Sequence, residues 1–177
     1  NMAATGVQGR AVLVNLYARY GRERKLVGYR ELQEIFAEDG IEIEPGDMVC
    51  FYTGFADLVL EQQQQPTAEV LENSCTCLNG RDPELLQWVT DSGVVALIAD
   101  NYAVEGLPAV PAEGPHPRLP LHEHCLFKLG VPLGELWFLS ELADWLAEND
   151  RSRFLLTAPP LRLPGAVGSP ATPVATV

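Results

Sequence analysis

Two histidines and a glutamate in the last third of this chain are its best prospect for chemistry. Leu121-His122-Glu123-His124 is followed by Gly130-Val131-Pro132-Leu133-Gly134-Glu135, which sets His122 and Glu135 thirteen positions apart. Imidazole nitrogen and carboxylate oxygen are the donors that hold divalent ions such as zinc or manganese. Thirteen positions do not share one helical face. A histidine early in a helix and a glutamate in the turn after Gly130 would bring the pair together. Such pairs are common, so spacing alone does not make a site. His124 reads as a neighbour on the helix surface or partly buried, and His116, inside a proline-rich loop, as solvated. Ala99-Asp100-Asn101-Tyr102-Ala103-Val104-Glu105 follows an apolar run, and residues just past strand ends in α/β folds face ligand crevices. Asp100 and Glu105 are therefore candidates for a pocket border. A plain turn, with Asp100 and Asn101 bonding nearby backbone, is the equal alternative.

Other chemistries lack their residues. Cys75-Thr76-Cys77 offers two thiols without the second pair a zinc clip requires. No Gly-x-Ser-x-Gly elbow, phosphate-binding Gly-Lys-Ser/Thr loop or Gly-x-Gly-x-x-Gly fingerprint occurs.

The elements that must position these residues alternate in type. Gly9 to Tyr17 is a short apolar run suited to a buried strand. Tyr29, Leu32, Ile35 and Phe36 recur at helical spacing, with Gly40 as the stop. The turn Pro45-Gly46-Asp47 launches a strand over Met48–Thr53, ended by Gly54. The glutamine run 62–65 reads as a surface segment. Asp82-Pro83-Glu84 starts a helix, with Asp as N-cap, Pro at the first helical position and an acid in the first turn. Leu85, Leu86 and Val89 line one face of that helix, and Gly93 ends it. Val94–Ala99 reads as a strand covered on both faces. Gly106–Pro120, with five prolines, is a loop. Leu119–Leu129 reads as a helix, Ser140 as the cap of a last helix burying Leu142, Trp145 and Leu146, Arg153–Thr157 as a strand and Thr172–Val177 as an extended end. Trp88, Trp137 and Trp145 fit core positions. The pattern predicts a mixed α/β domain of one unit over residues 1–177.

Composition narrows the partners. The chain has 177 residues, 47% of them hydrophobic, and a net charge of −12. That size and apolar content suit one globular domain. The negative field disfavours nucleic acid and anionic membrane surfaces. No run approaches the roughly 20 apolar residues of a membrane span, and Asn1–Gly9 lacks the features of a signal peptide. Four cysteines in a chain this long do not make a disulfide scaffold, so a reducing, cytoplasmic setting is expected.

These residues together resemble a known family. The His122–Glu135 unit and the tail Pro159-Pro160-Leu161-Arg162-Leu163-Pro164-Gly165-Ala166-Val167-Gly168-Ser169-Pro170 are similar to the end of the cyclase family. That family holds metal-dependent hydrolases such as bacterial kynurenine formamidase and isatin hydrolase. Gly6–Val14 and the turn Glu44-Pro45-Gly46-Asp47 resemble earlier family segments. The resemblance implies a mixed sheet with flanking helices in the family's swivelling β/β/α arrangement, usually in dimers or larger homo-oligomers. It implies a small-molecule substrate with an amide, formamide or cyclic imide-like carbonyl, attacked by metal-activated water. It implies His122 and Glu135 as ligands to zinc or manganese, because Cys125-Leu126 behind His122 keeps the family register, whereas His124 would put Lys128 in an apolar place. Thr53 and Gly54 resemble the family's strand-end Thr-Gly and, with Asp100, Glu105 and His124, would line the pocket.

The family's main metal motif, His-x-Gly-Thr-His-x-Asp-x-Pro-x-His, is not among the 177 residues. The expectation is that they correspond to about the C-terminal two-thirds of a family member. The chain is then a piece of a full-length enzyme, a binding or scaffold protein that keeps the fold without a complete metal site, or a chain whose missing strands come from a partner.

Overall fold

A computed structural model describes residues 2–63 and 65–177. Gln64 of the glutamine run lies outside the described residues, while Gln63 and Gln65 on either side are exposed. The strands are β1 (Gln8–Asn15), β2 (Leu26–Val27), β3 (Met48–Tyr52), β4 (Cys77–Leu78), β5 (Ala96–Ala99), β6 (Leu133–Gly134), β7 (Arg153–Thr157) and β8 (Val174–Thr176). Six of them form one mixed sheet in the order β6-β5-β3-β1-β7-β8. Neighbours are parallel from β6 across to β1, then antiparallel from β1 to β7 and from β7 to β8. β2 and β4 pair in parallel as a small second sheet. Among the described residues no helix is long and apolar enough to cross a membrane.

The central strands read as unbroken apolar runs because both faces are covered. Alternate side chains go to opposite faces of a strand. Val12, Val14, Val49, Phe51, Leu97 and Ala99 therefore enter one core with Leu32 and Ile35 of helix Tyr29–Glu38, Leu85 and Val89 of helix Pro83–Ser92, and Leu121 and Cys125. Ala11, Leu13, Met48, Cys50, Ala96 and Ile98 enter the other, with Leu139 and with Ala143 and Leu146 of helix Ser140–Glu148. Asp82 accepts from Glu84 N at 2.9 Å as the N-cap that its sequence predicts, and its second oxygen accepts from Tyr29 N at 2.7 Å, joining two helix starts.

Element boundaries differ from the sequence reading at several places. β1 stops at Asn15, whose side-chain oxygen accepts from Ala18 N at 2.8 Å and so caps a helix over Leu16–Tyr20. β5 begins at Ala96; Val94 is buried ahead of it and Val95 is half exposed. Residues 119–129 are not one α-helix. A short turn, Pro120–His122, passes into a π-helix over Glu123–Leu129 that ends at Gly130 with φ 71°. Ser140 is not a cap. It is the first helical residue, and its hydroxyl donates to the two Asp57 oxygens at 2.7 and 2.6 Å. On that last helix Ala143 and Leu146 are buried while Leu142 and Trp145 are only partly so, and Trp88 and Trp137 likewise pack against the core from its margin.

Candidate functional site

The chain brings three predicted residues together beyond the carboxyl ends of β5 and β6: His122, Glu135 and Glu105. His122 ends the turn Pro120–His122, where Pro120 stands at the first helical position and buried Leu121 anchors the turn in the core. A helix start leaves N–H groups without intrahelical partners. Here Glu105 supplies them, accepting from Leu121 N at 3.1 Å and His122 N at 2.9 Å. The same carboxylate lies 2.9 Å from His122 Nδ1. On the other side of the ring, His122 Nε2 lies 3.0 Å from Glu135 Oε1.

Main-chain bonds fix both carboxylates. Glu135 follows β6, and the next residues continue along the end of β5, with Leu136 N donating to Asn101 O at 2.9 Å and Trp137 N to Ala99 O at 3.2 Å. Glu105 bridges to Leu78 in parallel fashion. It is 1% exposed, whereas the side chains of His122 and Glu135 are 20% and 35% exposed, so the site opens to solvent on the Glu135 side. Each carboxylate adjoins a non-glycine residue in the left-handed region, Val104 at φ 57° and Leu136 at φ 55°. A β-branched residue there is an outlier, and such conformations persist only where the surroundings impose them. The hydrogen bonds to Glu105 first, and to Glu135 second, raise the His122 pKa to about 9. Each ring nitrogen thus faces a carboxylate, which favours the protonated ring.

The other predicted residues form separate groups. Asp100 is fully buried and accepts from Thr53 N at 2.8 Å, Thr53 Oγ1 at 2.7 Å and Phe55 N at 2.9 Å. It thus caps a helix over Phe55–Glu61 whose N-cap position is Gly54 at φ 76°. Burial pushes the Asp100 carboxyl up in spite of these donors. His124 lies with its Nε2 2.9 Å from Thr90 Oγ1 and ties the π-helix to helix Pro83–Ser92. His116 stays exposed, its Nδ1 2.7 Å from Gly114 O. The four cysteines are free and buried, and burial pushes Cys50, Cys75 and Cys125 up to about 12, away from thiolate chemistry. A cleft of about 770 Å³ is lined by Leu13, Asn15, Ile41, Leu146 and Arg151 among others, and by none of the predicted site residues. Among the described residues no group of three or more His, Cys, Asp or Glu converges on a single point suited to a metal.

Sequence reasoning missed Asp57, which also accepts from Tyr52 Oη at 2.8 Å, and Gly80. A Cβ at Gly80 would collide with Glu105 Oε2. Asn79-Gly80 signals a turn, but no local pattern reveals a carboxylate from 25 residues away pressed against it.

A mixed sheet between helical layers, with an imidazole held by carboxylates beyond its parallel strand ends, defines an α/β domain with a polar site at the sheet's carboxyl edge. The family model described as Cyclase (Putative cyclase) matches residues 1–106. The chain belongs to this cyclase family. A search of the solved structures finds a novel cyclase at 30% identity and a TM-score of 0.82, covering 100% of this chain and 56% of that one. An isatin hydrolase bound to the product analogue thioisatinate follows at 17% identity and a TM-score of 0.67, covering 96% and 60%. Isatin hydrolase A from Ralstonia solanacearum follows at 18% and 0.65, covering 95% and 59%. The two isatin hydrolases share the fold. The chain spans about 56–60% of the length of these neighbours. A search of curated proteins finds no match.

Proposed function

We propose that this chain is part of a metal-dependent hydrolase that acts on an amide, formamide or cyclic imide-like carbonyl of a small molecule, with His122 and Glu135 as ligands to zinc or manganese. The observation that carries the reading is the 3.0 Å approach of His122 Nε2 to Glu135 Oε1. Two donors that each bind one tetrahedral zinc at about 2.0–2.1 Å stand roughly 3.3 Å apart, close to the 3.0 Å between these two atoms. The donor set, one imidazole and one carboxylate, suits zinc or manganese. The similarity to a cyclase and to isatin hydrolases supports a hydrolase-like fold.

A bound divalent ion supplies a water nucleophile at neutral pH and polarises the carbonyl. The chain's own residues hold the site: Glu135 presents its carboxylate from the end of β6, and His122 presents Nε2 from a turn anchored by Leu121. A catalytic zinc takes three protein ligands, so the reading requires donors beyond this pair, from elsewhere in a longer protein or from a partner. The second reading, a binding or scaffold protein that keeps the fold, rests on the same shortage of ligands.

Metal analysis decides between them. The full-length protein, purified with zinc or manganese, is expected to retain metal, and its H122A/E135A variant to lose it. Equal metal content in the two proteins would remove the ligand assignment and favour the scaffold reading.

A further inference from the structure

We propose that Glu105 is the positioning residue of this site, the group that fixes the direction of the His122 imidazole, and that Gly80 makes its place. The inference rests on His122 and Glu135 as the ligand pair and assigns a role to a third residue that does not itself hold the metal.

Three N–H groups converge on one buried carboxylate: Leu121 N at 3.1 Å, His122 N at 2.9 Å and His122 Nδ1 at 2.9 Å. Two of the three belong to His122, so Glu105 holds both its main chain and its ring. With Nδ1 engaged, ring rotation is arrested and Nε2 faces Glu135. A carboxylate on the second ring nitrogen is the usual outer support of a histidine ligand, and its loss weakens metal binding about 10–100-fold. Glu105 is 1% exposed. It is therefore shut off from solvent and reaches the site through His122.

The fold builds this place from residues distant in sequence. Gly80 leaves the space that Glu105 Oε2 occupies, and a Cβ there would also crowd Leu121 Cβ at 3.1 Å. Val104 is held at φ 57°, with its N–H donating to Asn101 Oδ1 at 2.7 Å, and this turn carries the next side chain inward. The Leu78–Glu105 bridge sets the depth.

The test uses cobalt(II) titration of the full-length protein as wild type, E105Q, G80A and H122A, with D47N as a control that alters a buried carboxylate outside the site. E105Q and G80A are expected to bind cobalt at least tenfold more weakly while D47N stays within twofold of wild type. A second readout needs no metal. The His122 Nδ1 proton is expected to give a slowly exchanging downfield NMR resonance in wild type and D47N, broadened into exchange in E105Q and G80A. If E105Q folds poorly, G80A carries the test alone, since it keeps the carboxylate and displaces it. Unchanged cobalt affinity in H122A would defeat the ligand pair, and the proton resonance would then decide the role of Glu105 by itself. Wild-type cobalt affinity together with a retained resonance in E105Q and G80A, or the absence of that resonance in wild type, would overturn the proposal.

Discussion

Gly54 shows how a single residue can be committed by its surroundings. Its φ of 76° lies in the region that other residues enter reluctantly, and a Cβ there would press on the Tyr17 ring, which packs 5.6 Å from the Tyr52 ring. A left-handed conformation costs a residue with a Cβ roughly 1–2 kcal/mol, and displacing Tyr17 adds to that. G54A is expected to lower stability by about 2 kcal/mol or more, measured as a fall in the urea midpoint at unchanged slope. A midpoint equal to wild type would show that the loop relaxes freely. The neighbouring Asp100 is of the same kind, with three close donors on a carboxylate that burial pushes upward. Removing it by D100A would leave those donors unpaired inside the protein, at about 1–3 kcal/mol, again read from the urea midpoint.

At the scale of elements, the entry to β3 is pinned by Arg10, which pairs with both Glu44 and Asp47. Arg10 on β1 donates to Asp47 through Nε at 2.6 Å and Nη2 at 2.7 Å, and Glu44 N donates to the same carboxylate at 2.7 Å. Burial pushes the Asp47 carboxyl up; the Arg10 guanidinium and the Glu44 N–H more than offset this and hold it below 3.8. A carboxyl whose folded value is depressed adds stability that is present above its unfolded value and lost as pH falls through the folded one. The wild-type urea midpoint is therefore expected to drop as pH falls below about 4, and D47N, which cannot titrate, to show a flatter profile there. Identical profiles would refute the assignment. The strands that β1 and β3 form were legible in the sequence because both faces are buried, leaving an unbroken apolar run. Helix Pro83–Ser92 was legible because its start and stop are local, in Asp82, Pro83 and Gly93. The π-helix was not, since its ladder has the same residues as an α-helix and differs only in register. Ser140 reads as a cap in the sequence because its partner, Asp57, lies 83 residues away. His122 and Glu135 could be paired on the page, but the grip of Glu105 on His122 depends on Gly80 and a left-handed Val104, which only the folded chain brings together.

Across the whole molecule, the segment from the π-helix through β6 carries large apolar side chains in the open, with Phe127 84%, Leu136 61% and Phe138 51% exposed. β6 is also the outer strand on that side of the sheet. Exposed apolar patches beside a free strand edge favour association. The protein is expected to form a dimer or larger homo-oligomer, and F127E/F138E to shift it toward monomer, in light scattering over a range of concentrations. A wild type that stays monomeric throughout would refute this. The position of β1 has a consequence for how the molecule comes into being. β1 pairs with β3 on one side and on the other with β7, matching Gln8 to Thr157. During synthesis the parallel half of the sheet can assemble while β1 still lacks its second neighbour, because β7 follows β3, β5 and β6 in chain order. Closing so long a loop is slow relative to local pairing. A ribosome-bound chain halted before Arg153 is expected to exchange the amide protons of β1 with solvent far faster than the released protein does. The nascent domain thus waits, with its central strand half paired, for β7 to emerge.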